Sequence, residues 1–341
     1  MTTGGPAISR STPASRIAGA LALVMLGILI MAPWWASRAT THLIGEFATF
    51  VALASLWNLL AGYTGLVSVG QQAFVGLGGY ALFSCAFFLH INPLFGVVVA
   101  GLAAALFALP VATLVFRLQG AYFAIGTWVV AEVFRLGFAQ IQVLGGGSGI
   151  SLPVDVVKSI ADSREAREAL VYWVSLALGA GSVGVVYALL RSRIGLALTA
   201  IRDSEMASSS LGVQITNVKF AVYVLVAAVT GMVGALIFLQ KLRISPDAAF
   251  SVNDWTAFVI FIVVIGGIGT IEGPIAGTLV YFLLREYLAD LGSIYLMILG
   301  ALAIVIMLAA PQGLWGFVRK RFGWSLFPTG YQVRWPDKPS P

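Results

Sequence analysis

Residues 58–80 read NLLAGYTGLVSVGQQAFVGLGGY, two apolar runs divided by a short polar patch. Gly62, Gly65, Gly70, Gly76, Gly78 and Gly79 interrupt them, and Asn58, Ser68, Gln71 and Gln72 add hydrogen-bonding side chains. Glycines alone would serve close helix packing. Glycines beside a serine and two glutamines also fit a helix broken at membrane depth. The freed backbone would then line a cavity, because lipid cannot satisfy it. Both readings stand, and both place the stretch inside a bilayer.

Most of the chain goes with it. The 341 residues are 59% hydrophobic and 10% charged, with a mean hydropathy of +0.95. A soluble domain carries about 25% charged residues. A helical span needs about 20 apolar residues. Stretches of that kind fall at 17–35, 43–60, 69–90, 93–116, 120–140, 169–190, 216–240, 252–271, 274–289 and 292–310. The chain therefore reads as an all-α polytopic membrane protein of about ten transmembrane helices. One membrane domain covers 17–310, with tails at 1–16 and 311–341. The polar, Ser- and Thr-rich start leads into an apolar run that is long for the core of a cleaved signal, so 17–35 reads as a retained first helix.

Ten spans put both termini on one side. If that side is the cytoplasm, inner segments hold twelve of the twenty Lys and Arg and outer segments seven, with Arg135 left inside a span. That bias follows the positive-inside rule, and both tails are assigned to the cytoplasm. The same rule accounts for the formal charge of +6 without nucleic acid, since no basic stripe interleaved with aromatics is present. Two long loops result. Residues 141–168 are external and open on Gly145-Gly146-Gly147-Ser148-Gly149. Their Val154, Val157, Ile160 and Ala161 recur among charges at near-helical spacing, which predicts a short helix on the membrane surface. Residues 191–214, RSRIGLALTAIRDSEMASSSLGVQ, are cytoplasmic, helix-forming, amphipathic and too polar to cross.

Catalytic and metal chemistry are not indicated. His42 and His90 are the two histidines, and both sit near helix ends; no cluster exists for a metal or a triad. The single cysteine, Cys85, lies in an apolar run as a small packing residue. No lysine follows a glycine, so the Gly-Lys of a phosphate-binding loop is absent. Ionisable groups inside spans carry more information. They are Glu46, Glu132, Arg135, Asp254 and Glu272. Glu132 and Arg135 share a helical face and are predicted to form a buried ion pair that neutralises itself, with a place in a polar pathway as the alternative. At 266–274, GGIGTIEGP ends one helix on glycines and starts the next near a proline, a tight helix-to-helix turn. Gly65, Gly76 and Tyr80 recur as Gly266, Gly277 and Tyr281 at one constant offset, a faint sign of internal duplication.

Five segments, in order, resemble a known family. They are GYTGLVSVGQQAFVGLGGYALF, GGGSGISLP, SRIGLALTAIRDSEMASSSLGV, ISPDAAFSVNDWTAFVIFIVVIGGIGTIEGPIAGTLV and PQGLWG. Together they are similar to the LivM-type branch of branched-chain amino acid ABC transporter permeases, over about residues 45–317. The resemblance implies a multi-pass subunit of the bacterial inner membrane. Its partners would be a second homologous permease, two cytoplasmic ATPase subunits and an extracytoplasmic substrate-binding protein, with lipid around them. No cofactor belongs to this chain; ATP and Mg would sit on the ATPases. By the same resemblance Ala200, Arg202, Asp203, Glu205, Ala207, Leu211 and Gly212 would couple to an ATPase. Asn58, Gly65, Ser68, Gln71 and Gln72 would lie on the translocation pathway. The chain departs from the family pattern at Gln71-Gln72, where a small residue or histidine is usual, and that departure bears on the solute. Urea, short amides or other amino acids are alternatives within the family. An ion-driven secondary carrier, with Glu46, Glu132 and Glu272 essential, is the alternative outside it.

Overall fold

The computed structural model describes residues 7–9, 13–288, 294–310, 312–322, 326–328 and 332–334; much of both assigned tails lies outside them. Strand β1 (Ala7–Ser9) precedes helix α1 (Pro13–Ile30) and the single turn α2 (Ala32–Trp35). Helix α3 (Arg38–Leu59) starts behind Ser37, whose hydroxyl accepts the Thr40 N–H at 3.2 Å, one of the donors a helix start leaves open. Helices α4 (Gln71–Phe88), α5 (Pro93–Val115) and α6 (Ala121–Ala139) follow. Asn92 caps α5 and Pro93 opens it.

Residues 141–163 fold as two 3₁₀ turns, strand β2 (Ile150–Ser151) and helix α7 (Val154–Lys158). Helix α8 (Arg164–Arg191) then leads to α9 (Arg193–Asp203) and α10 (Glu205–Ser210). Ser192 and Ser204 cap those two short helices, and Ser204 separates them with extended backbone. Helix α11 (Ile215–Lys241), strand β3 (Arg243–Ile244), the turn α12 (Pro246–Ala249), helix α13 (Phe258–Gly266) and helix α14 (Glu272–Leu288) come next. Helices α15 (Ile294–Ala309) and α16 (Gly313–Phe322) and strand β4 (Gln332–Arg334) end the described chain.

Among the described residues, seven helical stretches are long and apolar enough to cross a bilayer. They are Arg38–Thr64, Pro93–Val115, Ala121–Ala139, Arg164–Arg191, Ile215–Lys241, Pro246–Gly266 and Leu296–Arg321. The chain is thus an all-α polytopic membrane protein. The three further stretches read as spans coincide with α1, α4 and α14, which fall short in length or apolarity: α4 opens on two glutamines, and α14 carries Glu272, Arg285 and Glu286.

Helix α3 occupies the centre, against α8, α11, α13 and α14. Beside it α4, α5 and α11 close on one another through small residues. A methyl on Gly78 would meet the Gly231 carbonyl at 1.9 Å, and one on Gly234 the Val75 carbonyl at 2.2 Å. Gly231 in turn abuts Ala104 of α5. With no hydrophobic drive inside lipid, such backbone approach is what holds helices together. The short helix expected in the 141–163 segment is present as α7, with none of its residues fully buried. The segment caps one end of the bundle: β2 pairs antiparallel with β3, Asn92 Nδ2 donates to the Ser159 carbonyl at 2.8 Å, and Leu144, Leu152 and Ile160 are buried. Of its spaced apolar residues, Val157 and Ile160 serve that contact while Val154 stays exposed.

Candidate functional site

Both readings of residues 58–80 are met: Gly78 packs closely against α11, and the helix breaks near Gly65. Helix α3 runs into a π-turn at Leu60–Thr64, Gly65 adopts a left-handed φ of 73°, and regular structure resumes only at Gln71. Each unpaired backbone group inside hydrocarbon costs several kcal/mol, so the partners of 65–70 matter. Trp57 Nε1 donates to the Ser68 carbonyl at 2.7 Å, and the Val69 N–H donates to Thr127 Oγ1 at 3.0 Å. The Gly70 N–H donates to Ser68 Oγ at 3.2 Å. Gln71 Nε2 reaches back to the Leu53 carbonyl at 3.0 Å. The Gln72 N–H and side-chain carbonyl both engage Thr256 Oγ1.

These polar residues staple the break more than they line a space. Asn58, Ser68, Gln71 and Gln72 are all buried, while Gly65 is exposed with nothing near it. Of the five, Ser68 and Gln71 face a cavity, closed by Trp57, Phe74, Tyr223 and Thr230 and only about 10 Å³ in volume. That is room for one water. Gln71 Oε1 and Thr230 Oγ1 beside it make no hydrogen bond within the protein.

Asn58 joins the break to a second irregular segment. Its Nδ2 donates to the Thr270 carbonyl at 2.7 Å and its Oδ1 accepts the Gly269 N–H at 2.8 Å. The 266–274 turn is therefore a tight connection, as its sequence predicted, with Gly267 and Gly269 both at positive φ. Gly62 sits in the same contact, where a methyl would come within 2.6 Å of the Gly269 nitrogen.

Beneath that contact lies 191–214, which forms two helices and not one. Helix α9 turns Leu198 and Ile201 into the core, its Gly195 against the Leu190 carbonyl, and the Arg202 guanidinium rests against Gly269. Ala200 is half-buried; Asp203, Glu205, Ala207, Leu211 and Gly212 are exposed. Glu205 pairs with Lys219 of α11. Two apolar side chains at the tip, Met206 and Leu211, are 84% and 81% exposed. The sequence reading named Leu211 and passed over Met206, although both lie on the polar side of an amphipathic segment.

At the opposite end the polar groups are charged. Arg135 binds both oxygens of Glu132 at 3.0 Å and, through Nη1, Asp247 Oδ1 at 2.6 Å. The ion pair forms but it is not buried: the side chains of Glu132 and Arg135 are 43% and 30% exposed. Helix α6 packs along the stripe Phe123, Thr127 and Ala131, continued by the partly buried Phe134 and Phe138, and the pair lies at the edge of that stripe. Asp247 joins from 112 residues away, which no local spacing reveals. Glu46 pairs with Arg285 of α14 through two hydrogen bonds of 2.7 and 2.8 Å. Two cavities of about 540 and 400 Å³ open here and share His42 and Gln240.

Among the described residues no three His, Cys, Asp or Glu side chains converge. Broken helices meeting amphipathic surface helices at one end, and open charged cavities at the other, define a class: a polytopic membrane permease. The chain matches the family described as branched-chain amino acid transport system, permease component, over residues 39–310, and it belongs to that family. It is a multi-pass protein of the bacterial inner membrane. Its relatives include the high-affinity branched-chain amino acid transport system permease protein LivM of Escherichia coli K12, 30% identical over 91% of this chain and 77% of the relative. LivM of Salmonella typhimurium LT2 is 28% identical over the same shares. The probable LivM of Methanocaldococcus jannaschii is 24% identical over 78% of this chain and 86% of the relative. No solved structure matches the chain significantly.

Proposed function

We propose that the chain is one permease subunit of an ATP-driven importer of branched-chain amino acids that works by alternating access. The observation that carries this reading is the α9–α10 unit. It presents exposed Met206 and Leu211 outward while Leu198, Ile201 and Arg202 seat it against the π-turn and the 267–271 turn. A partner that grips the tip can move the two breaks in the membrane as a rigid body. Residues 200–212 are then the contact for one of two cytoplasmic ATPases, which carry the ATP and Mg. Ten spans with both termini cytoplasmic fit the antiparallel pairing of β1 with β4, which puts the two tails together. The capped end, with 141–163, faces outside and receives the substrate-binding protein.

Charged groups at membrane depth face protein or water in preference to lipid. The partly exposed Glu132 and Arg135 and the exposed Asp247 therefore support giving the outer face of α6 to the second permease and the path between the two subunits. Of Asn58, Gly65, Ser68, Gln71 and Gln72, the buried Ser68 and Gln71 would form the closed part of that path, Asn58 and Gln72 would hold the break that carries them, and Gly65 would lie on its exposed edge. Urea, amides or other amino acids remain the alternative cargo, and the binding protein decides among them. An ion-driven carrier is disfavoured because Glu46 and Glu132 are each held by an arginine, and the third carboxylate it would need, the buried Glu272, is engaged by the Leu326 and Phe327 N–H groups. The test is purification through a tag on this chain, followed by ATPase assays with loaded binding protein. Co-purifying ATPases stimulated by that protein support the importer. A lone subunit moving leucine in liposomes without ATP rejects it.

A further inference from the structure

The cavity of about 400 Å³ between the ends of α3, α11, α13 and α14 holds four charged side chains. Two of them, Glu46 and Arg285, neutralise each other. The other two do not. Lys241 makes no ion pair among the described residues; its Nζ stands 4.7 Å from the Trp255 ring centroid and 5.7 Å from that of Phe238. The Asp254 carboxylate likewise has no cationic partner among them, although its backbone N–H donates to Ser251 Oγ at 3.3 Å. One free cation and one free anion thus share a cavity whose other walls include Phe50, Trp255, Phe258 and Tyr281. Its volume is that of a small-molecule site, about 300–1,000 Å³. The adjoining cavity of about 540 Å³ is rimmed by Arg38, Arg164 and Arg167 against Glu168, a net positive approach that draws in a carboxylate.

We propose that this cavity receives a free zwitterionic amino acid, carboxylate on Lys241, ammonium on Asp254 and apolar side chain against the Phe258 and Tyr281 rings. The assignment rests on the import reading and adds to it a receiving site on the permease itself. A half-open cavity near the membrane surface could instead hold the headgroup of phosphatidylethanolamine, which shares the ammonium and oxyanion, so the test must separate the two sources.

The complex purified through a tag on this chain, in nanodiscs lacking phosphatidylethanolamine, is titrated by saturation-transfer NMR with three probes: leucine, leucinamide and 4-methylpentanoate. The wild type should bind leucine best, in the millimolar range, because losing one charge-assisted contact costs about tenfold or more. Lys241→Met should bind leucine and leucinamide equally. Asp254→Asn should bind leucine and 4-methylpentanoate equally. Lys241→Arg and Asp254→Glu should restore the preference, which a merely structural role would not. Absence of saturable leucine binding, or variants that weaken all three probes alike, overturns the site. So does native phosphatidylethanolamine that co-purifies and is not displaced by leucine. Uptake by the wild-type complex separates the two failures: leucine uptake that survives both variants sinks only the receiving site, whereas no ATP-driven uptake at all sinks the importer.

Discussion

At the end of the bundle bearing 191–214, neutral groups do most of the fastening at short range, and the one buried carboxylate described there, Glu272, accepts the Leu326 and Phe327 N–H groups at 2.9 Å. Asn58, Gln71, Gln72, Thr127 and Thr256 fasten two irregular segments, and the enclosed space is about 10 Å³. At the other end charges meet at the margins of two cavities of about 540 and 400 Å³. The reason lies in what each end must do. A closed backbone break inside hydrocarbon needs its polar groups matched, and neutral amides and hydroxyls match most of them without the desolvation of an ion, although Gln72 Nε2 and Gln71 Oε1 stay unpaired within the protein. A cavity open to water tolerates charge, because solvent shares the burden. The described residues around the break at 65–70 pack closely, whereas those at the other end leave two open cavities, an asymmetry that fits the alternating access proposed above.

The largest effect should come from the one feature of the closed end that points away from it. Exposed apolar anchors at an interface are worth about 2 kcal/mol each. Met206→Asp with Leu211→Asp should therefore cut association with an ATPase by roughly a thousandfold and abolish uptake, with the subunit still folded by size-exclusion chromatography. Normal co-purification of ATPases with that variant would move the contact elsewhere.

Next comes Asn58→Leu. It strands the Gly269 N–H and the Thr270 carbonyl, each at about 1–3 kcal/mol for a buried unsatisfied group. The subunit should lose about 3 kcal/mol, read as a lower midpoint of thermal unfolding in detergent. Gly62→Ala acts on the same contact by overpacking, since its methyl would lie 2.6 Å from the Gly269 nitrogen; about 1–3 kcal/mol is expected. Unchanged midpoints in both would mean that the two irregular segments are held together by something other than this contact.

How much of this was legible in the sequence follows the range of the interactions. Where they are described, the ten apolar stretches are mostly helical because hydropathy is local, and the break at 65–70 was marked by its own glycines and glutamines. That the break is stapled shut was not legible. Asn58 finds its partners 211 and 212 residues away, and Val69 finds Thr127 58 residues away. Nothing in the spacing of 191–214 separated α9 from α10, because Ser204 breaks the helix through its cap and extended backbone. Glu132 and Arg135 were visible as an i, i+3 pair, but their exposure depends on how narrowly α6 is covered. Near-uniform apolarity hides that.

The smallest effect, and the one that tests the contrast between the ends, is at Glu46–Arg285. The pair has good bidentate geometry, yet its side chains are 28% and 34% exposed, so water screens it. A partly exposed ion pair contributes about 1 kcal/mol or less. Arg285→Met should lower the unfolding midpoint only slightly, far less than Asn58→Leu, although both remove two hydrogen bonds. The charge-reversed double variant, Glu46→Arg with Arg285→Glu, should recover most of that small loss, because the attraction survives the exchange. If Arg285→Met instead destabilises as strongly as Asn58→Leu, the charges at the open end are staples of the same kind as the amides at the closed end. The division of labour between the two ends would then fail.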